Sequence, residues 1–187
     1  MHFQSDRLYF REFRENDFPL FYSIFSDEQV MRYAWIDRYE REEDAWPYFW
    51  KILRNNTAGE KREAAEFAVF LAENEEFIGF ADIEIHQKNE TGGCGEIGYF
   101  LLPPHWGRGY AAETARTIIK AGFESLNLHR ITARCNANNR RSERIMQKVG
   151  MIKEGEFRKA RFKDGRWDNE LHYSILVEEW KKQITVD

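Results

Sequence analysis

The sequence predicts one domain of the mixed α+β class, with about four helices flanking a central, mostly antiparallel sheet. Segments of helical and strand periodicity alternate along the 187 residues, and no repeat or Pro/Ser-rich linker divides them. One stretch reads as a strand, a loop, a long helix and a second strand. A chain of this length can bury a core of its own, so we expect residues 1–187 to form a single unit.

The amino-terminal third is predicted to contain one strand and two helices. Arg7–Arg11 reads as a short strand. Asn16 or Asp17 can cap the helix that follows, and Pro19 is tolerated in its first turn. The apolar face of that helix is Phe21, Ile24 and Phe25. A second helix is expected from about Glu42, with apolar residues at spacings of three and four, namely Ala45, Trp46, Phe49, Trp50 and Leu53.

Strand periodicity then replaces helical periodicity. Residues 67–72 and 77–86, separated by a polar turn, predict a β-hairpin. A glycine-rich break over residues 91–95 precedes a third strand over 96–102. Gly98 within that strand indicates a bulge.

The carboxy-terminal half is predicted to supply a βαβ unit. After the strand at 96–102, the loop 105–109 leads into a strongly amphipathic helix, and residues 130–135 form the next strand. These two strands should run parallel with a right-handed crossover. The remaining predicted elements are a helix from Asn139 to Gly150 and two strands, 152–161 and 167–177, joined by an Asp164–Gly165 turn.

The composition excludes several classes of protein. A net charge of −4 and a pI near 5.8 provide no global positive field, so we expect no direct nucleic-acid partner. No apolar stretch approaches the roughly 20 residues of a membrane span, and the amino terminus lacks the pattern of a secretory signal. We therefore expect a cytoplasmic protein with no membrane partner. Cys94 and Cys135 lie in unrelated contexts, which indicates neither a disulfide nor a metal site.

The most informative segment is Trp106-Gly107-Arg108-Gly109-Tyr110-Ala111, between a strand and a long helix. Its glycines permit a sharp turn, and the first helical turn presents unpaired N–H groups and a positive dipole end to an anion. Arg108 adds a positive charge. The alternative is an ordinary glycine-containing connection. A Rossmann dehydrogenase is disfavoured, because Ala112 stands where the third glycine of G-x-G-x-x-G belongs.

This loop resembles the acetyl-CoA pyrophosphate loop of GNAT acetyltransferases, Gln/Arg-x-x-Gly-x-Gly/Ala. Arg108, Gly109 and Ala111 match that pattern, and Trp106 departs from its first position. The resemblance implies the GNAT fold, with acetyl-CoA as cosubstrate and an amine as acceptor.

A second similar segment follows about thirty residues later. Residues 139–142 resemble the family's Asn-x-x-Ser, and residues 147–151 resemble its Glu-Lys-x-Gly-Phe, with departures at Gln147 and Met151. The resemblance extends over nearly the whole chain. It is strongest to the ribosomal-protein N-terminal acetyltransferase branch, and spermidine acetyltransferases come second.

The resemblance also implies which residues bind acetyl-CoA. Asn139 resembles the residue that binds the pantetheine arm, although it is equally a good helix cap. Backbone groups of residues 97–100 would align the pantetheine amides like an added strand. The implied cosubstrate-binding residues are Ile97, Gly98, Tyr99, Phe100, Leu101, Trp106, Gly107, Arg108, Gly109, Tyr110, Ala111, Asn139 and Ser142.

Acetyl transfer to an amine needs a neutral amine, a polarised carbonyl and a proton for the departing thiolate. Glu96 is the first candidate base, acting directly or through water, and its alternative is a solvated strand-end carboxylate. Glu170 and His172 on a late strand are substitutes. Ser142 resembles the hydroxyl near the CoA sulfur and is the candidate proton donor. Residues expected to have no catalytic role are Cys135, buried in a strand, and His105 and His129, both at the surface.

The acceptor is less closely defined by the sequence. The acidic run 40–44 either attracts a basic peptide or polyamine or simply starts a helix. The aromatic residues that line the acceptor cleft or fill the core of the amino-terminal helices are Tyr33, Trp35, Tyr39, Trp46 and Trp50. We predict N-acetylation of a protein amino terminus by direct attack in a ternary complex. The alternatives are a polyamine or small-amine acetyltransferase, a non-catalytic acyl-CoA-binding module, and a structural domain that dimerises through its aromatics.

Overall fold

A mixed sheet lies at the centre of the protein. In the computed structural model, which describes residues 1–184, its strands are β1 (His2–Gln4), β2 (Leu8–Glu12), β3 (Ala64–Leu71), β4 (Phe77–Asn89), β5 (Gly92–Leu101), β6 (Leu128–Asn136), β7 (Ile152–Lys163) and β8 (Arg166–Leu176). Their spatial order is β1-β2-β3-β4-β5-β6-β8-β7. Only β5 and β6 run parallel, as the βαβ pattern predicts, and every other pair in this described range is antiparallel.

Helices cover both faces of the sheet. Within residues 1–184 they are α1 (Phe18–Phe25), α2 (Glu28–Met31), α3 (Glu42–Thr57), α4 (Tyr110–Glu124), α5 (Arg140–Lys148) and α6 (Val177–Ile184), with 3₁₀ turns at Glu15–Asp17, Gly59–Lys61 and Pro103–His105. The four predicted helices are α1, α3, α4 and α5, and α3 continues through Pro47. The helices α2 and α6 and the strand β1 are additions. The four residues of α2 and the three of β1 are too few to show a period.

Two apolar clusters bury the sheet between the helix layers. One cluster packs the sheet against α4 and α5, and the other packs it against α1, α2 and α3. Strand β3 lies where they meet: Phe67 and Val69 belong to the first cluster, and Ala68 and Phe70 to the second. Every residue of β3 is therefore buried, which explains its uninterrupted apolar sequence.

Strands β5 and β6 part half-way along β5. Their pairing begins at Gly93 and Leu128 and ends at Glu96 and Thr132. Beyond that point β5 stays paired with β4, and β6 stays paired with β8. Residues 97–101 consequently have no neighbouring strand on the β6 side, and a slot opens through the sheet.

The glycines of β5 have a different role from the one predicted. The bulge expected at Gly98 is wrong: Gly98 pairs with Asp82 in regular register, and the irregularity between β4 and β5 lies at Ile85–Gln87. The glycine-rich break is also wrong, since the strand already begins at Gly92. A Cβ on Gly93 or Gly95 would lie 2.6 or 2.7 Å from a carbonyl oxygen of β4. These positions are glycine because the paired backbone comes too close for a side chain.

The hairpin of β7 and β8 closes over the segment that follows α2. Its turn is at Asp164–Gly165, as predicted, and both residues have positive φ, 50° and 74°. Beside the turn, the Lys163 ammonium donates to the carbonyl oxygens of Met31, Ala34 and Ile36 at 2.8, 3.2 and 2.9 Å. The hairpin therefore holds in place a segment more than a hundred residues away along the chain.

Two further sequence predictions concern membranes and cysteines. No helix within residues 1–184 is long and apolar enough to cross a membrane. Both cysteines are free thiols, Cys94 partly exposed and Cys135 buried. The burial of Cys135 in β6 agrees with the prediction.

Replacing Gly79 with alanine should destabilise the protein. A Cβ at this position in β4 would lie 2.3 Å from the carbonyl oxygen of Phe100 and 2.5 Å from Cδ2 of Leu101, so the paired strand would have to shift. We expect the free energy of unfolding, measured by chemical denaturation, to fall by about 1–3 kcal/mol, the usual cost of overpacking. Gly155→Ala is the matched control, because the atom nearest its Cβ, Cε2 of Phe157, is 3.5 Å away. Equal losses in the two variants would contradict this explanation.

Candidate active site

A cleft of about 1740 Å³ opens where β5 and β6 part. Its walls are the second half of β5, the start of α4, one face of α5, and the segment between α2 and α3. Both helix layers therefore reach the same opening in the sheet. The predicted cosubstrate residues that line it are Ile97, Gly98, Tyr99, Phe100, Leu101, Trp106, Gly107, Gly109, Tyr110, Ala111, Asn139 and Ser142.

The loop before α4 is built to hold an anion. Gly107 and Gly109 have φ values of 77° and 83°, a left-handed conformation that residues with a Cβ avoid. This conformation turns the chain sharply into α4, which begins at Tyr110. The first N–H groups of this 15-residue helix have no carbonyl partner within it and point, with the positive end of its dipole, at the cleft.

Arg108 differs from the other loop residues. It is exposed and does not line the cleft, and its carbonyl oxygen accepts a hydrogen bond from Arg7 at 3.1 Å. Arg7 also bonds Glu113 in the first turn of α4 and stacks on the ring of Tyr110. Despite partial burial, hydrogen bonds from Ser5 and Arg7 lower the pKa of Glu113. These contacts fix the start of α4, and Arg108 contributes to them through its backbone.

Positive charge in the cleft comes from α5 instead. The Arg141 guanidinium lies 5.2 Å from the ring centre of Trp106. The Trp106 indole donates to the carbonyl oxygen of Leu101 at 2.6 Å, at the end of β5. The basic side chains of α5 that line the cleft are Arg140, Arg141, Arg144 and Lys148. This wall and the start of α4 together fit a polyphosphate.

A pair of hydroxyl groups lies at the slot, on the α4 and α5 side of the sheet. The Tyr99 hydroxyl is 3.3 Å from Oγ of Ser142. Asn139 caps α5 as predicted, because its Oδ1 accepts from the backbone N–H of Ser142 at 3.2 Å. Burial raises the pKa of Tyr99, so its hydroxyl keeps its proton and can donate it.

Carboxylates lie on the opposite side of the sheet. Asp82 and Glu84 of β4 pair in register with Gly98 and Glu96 of β5, on the face that also carries Phe80 of the α1–α3 cluster. Asp82, Glu84 and Glu96 all line the cleft. The slot therefore has proton donors on one face and carboxylates on the other, as acyl transfer to an amine requires.

A model of the GNAT acetyltransferase domain matches residues 7–152. The chain belongs to the GNAT acetyltransferase family. It is 37% identical over 180 residues to the uncharacterized N-acetyltransferase YnaD of Bacillus subtilis, covering 96% of this chain and 99% of that protein.

Two solved structures share the fold at lower identity. The spermidine N-acetyltransferase from Vibrio cholerae, in complex with CoA and spermine, has a TM-score of 0.82 at 20% identity, covering 95% of this chain and 99% of that one. The ribosomal-protein-S5-alanine acetyltransferase from Vibrio fischeri has a TM-score of 0.81 at 21% identity, covering 96% and 98%. Its membership of the GNAT family makes the chain an acyl-CoA-dependent N-acyltransferase with acetyl-CoA as cosubstrate.

In this acetyltransferase the predicted base, Glu96, is already engaged. Its Oε1 accepts from Nε of Arg134 at 2.7 Å, and its Oε2 lies 3.9 Å from His86. The Arg134 guanidinium also lies 4.5 Å from the ring centre of Trp35, which has Arg161 at 3.9 Å. Glu96 therefore belongs to a chain of contacts that links β5 and β6 to the segment after α2.

The substitute bases lie away from the cleft. Neither Glu170 nor His172 lines it. Glu170 is 3% exposed, contacts His172 and lies 3.9 and 4.0 Å from the guanidinium groups of Arg134 and Arg161. The Glu170 carboxylate therefore contributes negative charge beside those two arginines. Its position in the sequence does not reveal this proximity.

The aromatic residues of the amino-terminal region divide into two groups. Tyr33, Trp35 and Tyr39 line the cleft, but they lie in the segment between α2 and α3 rather than in helices. Trp46 and Trp50 do not line it; Trp46 stacks on Phe18 at 3.8 Å and on Trp50 at 5.6 Å.

The acidic run 40–44 is exposed at the start of α3, outside the cleft.

Two other residues can be assessed directly. His105 is 6% exposed and lines the cleft, so its predicted surface position is wrong. Burial raises the pKa of Cys135 to about 12, which leaves it a poor nucleophile. Within residues 1–184 no group of three or more His, Cys, Asp or Glu side chains could hold a metal ion.

Sequence reasoning missed Asp82 and Glu84. The signal was present in Phe80-x-Asp82-x-Glu84, where charged side chains take the same face as a buried phenylalanine. Behind them, Glu66 of β3 is 2% exposed and accepts from Asn55 of α3 at 3.1 Å. Burial, only partly offset by this bond, raises the pKa of Glu66 to about 7.

Glu66→Gln should change how stability depends on pH. The folded protein holds the Glu66 proton more tightly than the unfolded chain, so this group lowers the stability of the wild type as pH rises from 4.5 to about 7. Relative to wild type, the variant should gain on the order of 3 kcal/mol in free energy of unfolding across that range. Denaturant titrations at pH 4.5 and pH 8 measure it. Glu73→Gln, an exposed control in the turn after β3, should keep the wild-type dependence. A Glu66→Gln variant that also keeps it would refute the assignment.

Proposed function

We propose that this enzyme transfers the acetyl group of acetyl-CoA to the α-amine of a protein amino terminus, by direct attack in a ternary complex. The observation that carries the proposal is the slot at residues 97–101, with an anion site at one end and carboxylates at the other. The start of α4 and the basic side chains of α5 bind the pyrophosphate and phosphate groups. The free edge of β5 and Asn139 align the pantetheine arm, as in an added strand.

The mixed charge of the acceptor side supports a peptide amino terminus. Besides the carboxylates, the basic side chains that line this part of the cleft are Arg32, Lys51, Arg134 and Arg161. The basic side chains of such a wall offset the attraction of its carboxylates for the several positive charges of a polyamine, whereas a peptide brings one ammonium group and several carbonyl oxygens. An α-amine, with a pKa of about 8, also needs less help from a base than a lysine-type amine.

A polyamine is the second candidate acceptor. The carboxylates of Asp82 and Glu84 favour it, since they add negative charge where a second ammonium group could bind. The similarity in fold to a spermidine N-acetyltransferase is consistent with this alternative.

Acceptor preference can be measured with the purified protein. Calorimetric titration with acetyl-CoA, with NADH as control, should show binding of the first only. Thiol release should then be fastest with peptides that begin with alanine or serine, with kcat/KM at least about tenfold above that for spermidine, a difference of ~1.4 kcal/mol. A preference for spermidine would replace the peptide by the polyamine, and failure to bind acetyl-CoA would overturn the proposal.

Ser142→Ala should lower kcat without weakening acetyl-CoA binding. The hydroxyl of Ser142, paired with that of Tyr99, donates the proton that the leaving thiolate takes, and such proton transfers contribute about 10²-fold or more. The cap of α5 uses the backbone N–H of Ser142, so it survives this change. Asn139→Ala, in contrast, should cost about 1 kcal/mol of stability. Steady-state kinetics and thermal denaturation of both variants distinguish the two roles, and an unchanged kcat in Ser142→Ala would exclude the hydroxyl as donor.

A further inference from the structure

Three carboxylates line the cleft, namely Asp82, Glu84 and Glu96. Glu96 is engaged by Arg134, whereas neither Asp82 nor Glu84 has a hydrogen bond or ion pair with a residue in the range 1–184. Glu84 is exposed and Asp82 is partly buried. Glu66 is bonded to Asn55 and does not line the cleft. Asp82 is thus the partly buried carboxylate at this opening that is free to take a ligand.

Gly98 places the Asp82 carboxylate beside the slot. The two residues are directly paired across β4 and β5. A Cβ on Gly98 would lie 2.3 Å from Oδ1 of Asp82, so the carboxylate occupies the space that any other side chain would fill. Gly98 lies in the part of β5 that has lost its β6 neighbour. The carboxylate therefore lies directly over the free edge of the sheet.

We propose that Asp82 is the catalytic base, which takes the proton of the acceptor ammonium at the carboxylate-lined face of the slot. This inference rests on the proposed transfer of acetyl to an amine and assigns the step for which Glu96 was the sequence-based candidate. Glu96, held by Arg134, positions that arginine and Trp35 instead.

The surroundings of Asp82 suit this task. Removal from water, and then the negative charges of Glu66, Glu84 and Glu96, raise the pKa of Asp82 well above its ordinary range. A carboxylate with a raised pKa is a stronger proton acceptor near neutral pH. The titratable groups that interact with it are Glu66 on β3, Glu84 on β4, Glu96 on β5 and Tyr48 on α3. Lys51 of α3 and Arg134 of β6 line the same cleft.

The step balances as follows for an ammonium acceptor. One proton passes from nitrogen to the Asp82 carboxylate, and the freed electron pair forms the N–C bond at the thioester carbonyl carbon. The C–S bond breaks and sulfur keeps its electron pair. The thiolate takes a proton from the Ser142 and Tyr99 hydroxyl pair, and the second proton lost from nitrogen restores that pair through solvent. Asp82 then releases its proton to water, so one proton leaves per turnover.

The pH dependence of Asp82→Asn tests the inference. At pH 7 the variant should have a kcat/KM at least about 100-fold below wild type, with acetyl-CoA affinity within about twofold in calorimetry. The deficit should shrink as pH rises above the pKa of Asp82, because the wild-type base is then fully ionised while the fraction of neutral α-amine, on which the variant depends, still grows. A merely structural defect would lower the rate by the same factor at every pH. Glu73→Gln, which removes a negative charge at an exposed position outside the cleft, should keep the wild-type profile.

A second variant displaces the Asp82 carboxylate and leaves the residue itself unchanged. In Gly98→Ala the new methyl group would displace Oδ1 of Asp82, so the same pH-dependent deficit is expected. A deficit of the same factor at every pH in Asp82→Asn, or a pH-dependent deficit in Glu96→Gln instead, would overturn the inference and leave the acetyltransferase proposal intact. A wild-type enzyme that acetylates no amine would overturn both.

Discussion

The separation of β5 from β6 after Glu96 and Thr132 is the constraint on which the rest of the site depends. Two parallel strands that stayed paired would satisfy each other's backbone groups and leave no edge inside the sheet. Once they part, residues 97–101 present an unpaired edge in a protein interior, and that edge can be satisfied by a ligand with amide groups. The Trp106 indole satisfies the carbonyl of Leu101 at the end of this edge. The slot therefore exists because the hydrogen-bonded pairing of β5 and β6 stops part-way along β5.

Because side chains alternate along β4 and β5, the hydroxyl groups and the carboxylates lie on opposite faces of the sheet. Tyr99 points towards α5 and meets Ser142, whereas Asp82, opposite Gly98, lies on the face of α1 and α3. A group held in the slot meets proton donors on one side and a carboxylate on the other. Because the sheet separates them, the hydroxyl pair and the carboxylate do not neutralise each other, as the proposed transfer of one proton from the amine and of another to the thiolate needs.

Cations from the carboxy-terminal hairpin hold the acceptor side together. Lys163 donates to three carbonyl oxygens, one at the end of α2 and two in the segment after it. Arg161 donates to the carbonyl of Tyr33 and packs on Trp35. Burial lowers the pKa of both Lys163 and Arg161. Their hydrogen bonds to carbonyl groups compensate for part of the lost hydration. The wall against which an acceptor binds is therefore assembled from two ends of the chain.

The sequence by itself determined the features that depend on neighbouring residues. The glycine loop before α4, the Asn139 cap, the Asp164–Gly165 turn and the parallel βαβ unit could be predicted, because turns, caps and periodicity are local. The family was predicted from the resemblance of the loop and of residues 139–151 to known motifs. The tertiary structure alone decided which carboxylates are engaged by arginines. Glu96 looked available until β6 brought Arg134 against it, and Asp82 had no apparent role until β4 set it over Gly98. Glu170 lies on a strand that was expected to reach the cleft. In the structure it does not line the cleft but lies beside Arg134 and Arg161. Strand neighbours and register come from packing across the sheet, and no local pattern encodes them.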